Sequence, residues 1–76
     1  MSTYNLTQTE GYFVRANYDD GDVFDRAGYA DTARAIKSEA GCRAEAIEAS
    51  KQLRATVDAC KGATVIASFR GGKEIA

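Results

Sequence analysis

Tyr12-Phe13-Val14-Arg15-Ala16-Asn17-Tyr18-Asp19-Asp20-Gly21-Asp22-Val23-Phe24-Asp25-Arg26 is the stretch that decides the fold of this chain. Two runs rich in aromatic and β-branched residues flank Asp20-Gly21. That dipeptide is a strong hairpin signal, because both central residues of a type I′ turn require positive φ and Asp and Gly tolerate it. With Asp20-Gly21 as a two-residue turn, Tyr18 pairs with Val23, Ala16 with Asp25, Val14 with Ala27 and Tyr12 with Tyr29. One face is then apolar with Asp25 as its exception. The other carries Phe13, Arg15, Asn17, Phe24, Arg26 and Gly28.

Upstream, Tyr4 and Leu6 alternate with polar neighbours before Thr9-Glu10-Gly11. A three-residue loop there with Gly11 left-handed pairs Leu6 with Val14 and Tyr4 with Ala16. The two turns agree on one apolar face, which predicts a three-stranded antiparallel meander over the first 29 residues.

Downstream, residues 31–59 hold many alanines, no proline and one interior glycine, Gly41. That composition predicts helix. Asp31 is a candidate N-cap, with Ala33, Ile36 and Ala40 on the first stripe. Cys42, Ala46, Ala49, Leu53, Val57 and Cys60 continue at helical spacing in a shifted phase, so one kinked helix or two helices are expected. Gly62 reads as the stop. Ala63-Thr64-Val65-Ile66-Ala67-Ser68-Phe69-Arg70 reads as a fourth strand. The prediction is an α+β domain over residues 1–70, a two-layer sandwich with helices on one sheet face, followed by a flexible tail at 71–76.

The chain has 76 residues, no histidine and two cysteines. Without histidine the commonest general base and metal ligand are both missing. Within a helix, Cys42 and Cys60 would stand roughly 27 Å apart at 1.5 Å per residue, which excludes a bridge between them. They read as small buried apolar residues, and two cysteines alone do not complete a zinc site. An EF-hand register on Gly21 would place Ala16, Tyr18 and Ala27 at ligand positions, which excludes that calcium motif. The glycines form neither GxxxxGK[ST] nor GxGxxG. No enzyme activity, cofactor or metal is expected.

Net charge is −1, unevenly spread. Residues 1–31 carry two basic residues against six acidic ones, and residues 32–76 carry eight against five. The overall balance disfavours nucleic acid and anionic membranes as partners. No secretory signal or membrane span is read, so the cytoplasm is expected. The hairpin tip supplies an acidic knob from Asp19, Asp20, Asp22 and Asp25. Beside it lie Phe13, Phe24, Arg15 and Arg26 on the outer face. These are the candidate partner-binding residues. Arg43, Arg54 and Lys61 flank Ile47 as a weaker candidate surface.

The expected function is that of a small non-catalytic protein-binding module, an inhibitor or adaptor that occupies a basic partner surface. Phage and other mobile-element proteins that block host defence share this size and composition, an analogy that carries no sequence resemblance. A homodimer is expected, because so short a chain gains stability by association. Two alternatives are a nucleic-acid-associated regulator such as an antitoxin-like dimer, and a structural or assembly subunit.

Overall fold

A computed structural model describes residues 11–32 and 34–75. The elements are β1 (Tyr12–Tyr18), β2 (Val23–Arg26), α1 (Glu39–Gln52), β3 (Ala55–Lys61), β4 (Thr64–Arg70) and β5 (Lys73–Glu74). The strands form one antiparallel sheet in the order β2-β1-β3-β4-β5. Helix α1 lies over β1, β3 and β4. The α+β class and the two-layer build follow the expectation; the path of the chain through them differs.

The largest difference is at residues 53–61. The helical stripe was expected to run on to Cys60, but α1 ends at Gln52 and β3 is a strand at the centre of the sheet. Leu53, Val57 and Cys60 fit helical spacing, while Ala55, Val57 and Ala59 fit strand spacing equally well. Tertiary pairing decides between them. β3 joins β1 along seven residue pairs, from Tyr12 with Lys61 to Tyr18 with Ala55. Burial of Ala55, Val57 and Ala59 to 0% exposure follows.

Both edges of β1 are therefore taken, by β2 and β3. The expected strand around Tyr4 and Leu6 lies outside the described residues. The helix also begins later than Asp31. The described residues of 27–38 form no helix; Gly28 bridges Ala35, and Ser38 is the N-cap, its side chain accepting from the Gly41 N–H at 3.0 Å. Ser38 and Asp31 are both favoured cap residues, and sequence alone does not rank them.

The chain after Arg70, read as a loose tail, turns at Gly71-Gly72 and pairs back as β5. Gly71 and Gly72 have φ of 60° and 86°. This is the primed-turn geometry that was assigned to Asp20-Gly21. Ser50, buried beneath it, accepts the Gly72 N–H on its hydroxyl at 2.9 Å, and its carbonyl accepts the Gly71 N–H.

One core lies between helix and sheet. Val14, Ala16, Ala55, Val57, Ala59, Ala67 and Phe69 rise from the strands to meet Ile36, Cys42 and Ala46. Gly41 lets Tyr29 close one end of this layer. A Cβ at residue 41 would overlap the Tyr29 hydroxyl, so the helical glycine marks close packing rather than a kink.

Candidate functional site

The β1–β2 hairpin carries every residue expected at the partner-binding surface, and its register is one residue off the expected one. Val14 pairs with Arg26, Arg15 with Asp25, Ala16 with Phe24 and Asn17 with Val23. The Tyr18 N–H donates to the Asp22 carbonyl and the Gly21 N–H to the Tyr18 carbonyl. Gly21 sits at φ 100°. This is a three-residue loop, a turn over Asp19-Asp20 followed by a left-handed glycine. It asks for positive φ at Gly21 alone, where the two-residue turn would impose it on Asp20 too.

A one-residue slip turns every β2 side chain to the other face. Asp25, expected as a charge on the apolar face, lies on the face away from the helix. There its carboxylate accepts two bonds from Arg15, at 2.7 and 2.9 Å. The Asp25 side chain is only 7% exposed. That hydrogen bond holds the Arg15 guanidinium above its ordinary pKa, against the opposing effect of burial. Nearby on this face, Asp58 accepts from Asn17 Nδ2 at 3.0 Å and Ser68 Oγ at 2.7 Å. Arg15, on the outer face as expected, and Asp25, brought there by the slip, are thus parts of a cross-strand polar lattice.

Phe13 and Phe24, expected diagonally across the hairpin on one outer face, lie on opposite faces. Phe13 is buried at 2% exposure, paired in register with Cys60. Arg26 is on the helix side, where Nη2 donates to Glu45 at 2.6 Å and Nε to the Gly28 carbonyl. Glu45 also accepts the Ala30 N–H, tying the loop after β2 to the helix.

Five side chains of the hairpin tip remain at the surface. Val23 is 48% and Phe24 58% exposed. Asp20 and Asp22 are exposed at the apex, and the Asp20 carboxylate accepts the Asp22 N–H at 3.0 Å. Asp19 is also exposed, but Arg70 grips it with two bonds of 2.8 and 2.9 Å. That contact holds the Asp19 carboxyl below its ordinary pKa.

The expected basic flank of the helix disperses. Arg43 pairs with Glu39 and Glu74, and Lys61 sits 5.3 Å from the Tyr12 ring centroid. Ile47 packs against the core.

The two cysteines are free and buried. They are not distant, as a continuous helix would require. Cys42 Sγ donates to the Phe13 carbonyl at 3.2 Å and lies 3.7 Å from the Cys60 carbonyl. Cys60 is in β3, its side chain turned with Phe13 to the opposite face. Burial raises both thiols and pushes Cys60 up to about 12, which makes each a poor nucleophile.

Among the described residues no group of three metal-ligating side chains forms. A cavity of ≈ 540 Å³ opens beside the helix N-terminus, lined by Tyr29, Arg34 and Lys37. Among the described residues no helix is long and apolar enough to cross a membrane.

Comparison with models of known families, with curated proteins and with solved structures finds no match to this chain.

Proposed function

We propose that this protein is a non-catalytic protein-binding module, an inhibitor or adaptor that presses the apex of its β1–β2 hairpin onto a basic partner surface. The observation that carries the reading is exposed Phe24, on one face of an outer strand with Asp22, with Val23 exposed on the other face and Asp20 at the apex. An apolar anchor with a charged rim is the usual anatomy of a binding surface. The surrounding charges are already committed: Asp25 to Arg15, Arg26 to Glu45 and Asp19 to Arg70. The rim charge therefore comes from Asp20 and Asp22. Arg15 and Arg26 act as internal braces that fix the hairpin.

The test is quantitative capture with tagged protein, with and without nuclease, comparing the wild type with Asp20→Lys and with Asp20→Lys/Asp22→Lys. The reading expects one protein species that survives nuclease and is lost from both variants while their circular dichroism is unchanged. Equal capture by both variants refutes the acidic apex. Capture that vanishes with nuclease transfers the function to nucleic acid.

A further inference from the structure

We infer that the outer edge of β2 is the seam of a two-fold homodimer, in which residues 22–26 of two copies pair antiparallel about Phe24. The inference rests on reading this hairpin as a protein-binding surface, and it names the occupant of that edge as a second copy of the chain.

Backbone parity comes first. The Tyr18 N–H reaches the Asp22 carbonyl at 2.8 Å, so the 18–22 pair is hydrogen-bonded. Hydrogen-bonded pairs recur at every second residue in an antiparallel ladder. Residues 22, 24 and 26 therefore direct their main-chain groups at β1, and Val23 and Asp25 direct theirs outward. Further along, the same edge is closed, because the Ala27 carbonyl accepts the Ile36 N–H at 3.0 Å. Among the described residues nothing of the kind meets Val23 or Asp25. The open stretch is short, and its side chains are the most exposed apolar ones of the hairpin.

Complementarity then selects the occupant. A two-fold axis at Phe24 sets Val23 opposite Asp25 of the second copy as a hydrogen-bonded pair. It sets Phe24 opposite its own equivalent as a close, non-hydrogen-bonded pair. It sets Asp22 opposite Arg26 of the second copy, twice by symmetry. Asp22, Phe24 and Arg26 share one face, so an aromatic pair is flanked by two ion pairs. Cross-strand pairs of both kinds stabilise sheets. Arg26 directs Nη2 to Glu45 and Nε to the Gly28 carbonyl, and among the described residues no acceptor meets Nη1. An arbitrary strand would have to offer basic, apolar and acidic residues at alternate positions. The chain's own segment, read in the opposite direction, offers that pattern. Asp25 does not oppose the pairing, because its carboxylate is turned to the other face and held by Arg15.

Sedimentation equilibrium over a concentration series, with cysteine trapping, tests the seam and its register. The wild type is expected to show a reversible monomer–dimer equilibrium. Asp22→Lys sets like charges opposite each other twice and is expected to weaken association roughly tenfold. Phe24→Cys places Cα atoms about 4.5 Å apart across the axis, within disulfide reach, and is expected to form a covalent dimer under mild oxidant. Val23→Cys leaves its equivalents roughly 8 Å apart and is expected to stay uncrosslinked. A wild type that is monomeric at every concentration overturns the inference. So does Val23→Cys crosslinking as fast as Phe24→Cys, or an unchanged dimer constant in Asp22→Lys. Asp20→Lys separates the two readings, since Asp20 lies outside the pairing. A monomer whose capture of a foreign protein is lost in Asp20→Lys sinks the dimer and keeps the acidic apex. A dimer that captures nothing does the reverse.

Discussion

Gly41 is a helix-interior glycine whose replacement by alanine would ordinarily stabilise the helix by about 1 kcal/mol. Here the opposite is expected, because the added methyl meets the Tyr29 hydroxyl. Gly41→Ala should cost about 1–3 kcal/mol in urea unfolding, the usual range for overpacking. Tyr29→Phe removes the clashing oxygen, and the double variant should recover a measurable part of that loss. Ser50 makes a second single-residue prediction. Ser50→Ala strips the acceptor from the Gly72 N–H and should cost about 1–2 kcal/mol, with faster amide exchange at Gly72. The cysteines make a third. Cys60 keeps its proton in the folded chain up to about pH 12, while the unfolded chain loses it in the ordinary thiol range. Between those limits the native state binds more protons than the unfolded state, so stability falls as pH rises. The slope due to Cys60 approaches about 1.4 kcal/mol per pH unit. Urea midpoints from pH 8 upward should therefore fall more steeply in the wild type than in Cys60→Ala. In the native state both thiols should react slowly with a thiol reagent and be released together on unfolding.

At the scale of elements, β4 and the existence of the β1–β2 hairpin were legible, because β-branched and aromatic runs beside turn residues leave few alternatives. The hairpin register was not. Asp19-Asp20-Gly21-Asp22 satisfies both a two-residue and a three-residue loop, and only the loop length decides which face Asp25 and Phe24 occupy. The helix was legible in its middle and illegible at both ends. No glycine or proline separates Gln52 from Ala55, and Leu53, Val57 and Cys60 serve either periodicity. Gly71-Gly72 carries a hairpin signal, but the two-residue strand after it is too short to show a pattern. From the candidate site, Asp19, Asp20, Asp22 and Phe24 keep the exposure expected of them; Asp25 and Arg26 change face with the β2 register, while Phe13 and Arg15 keep the expected face, where Phe13 is buried and Arg15 is held by Asp25. The sheet order makes its own prediction. Amide exchange should be slowest in β1 and β3, which are paired on both sides, and fastest in β2 and β5.

For the whole molecule, the helix and five strands among the described residues pack together around the core between them, so the chain should unfold in one step. A core of this size predicts a urea m-value near the low end, about 1 kcal/mol/M. Circular dichroism and tyrosine fluorescence should report the same midpoint; separate transitions would show that the hairpin or the β4–β5 end melts independently. β1 and β3 hold the longest ladder among the described strands, yet residues 19–54 lie between them. Contacts that far apart in sequence slow folding, because loop closure precedes any gain from pairing. On the ribosome, β1 therefore emerges long before the strand that shields it. Until residue 61 has cleared the exit tunnel, Phe13, Val14 and Ala16 lie on a strand whose β3 edge is still open. This is the interval in which a nascent chain depends on chaperones or meets its neighbours on a polysome.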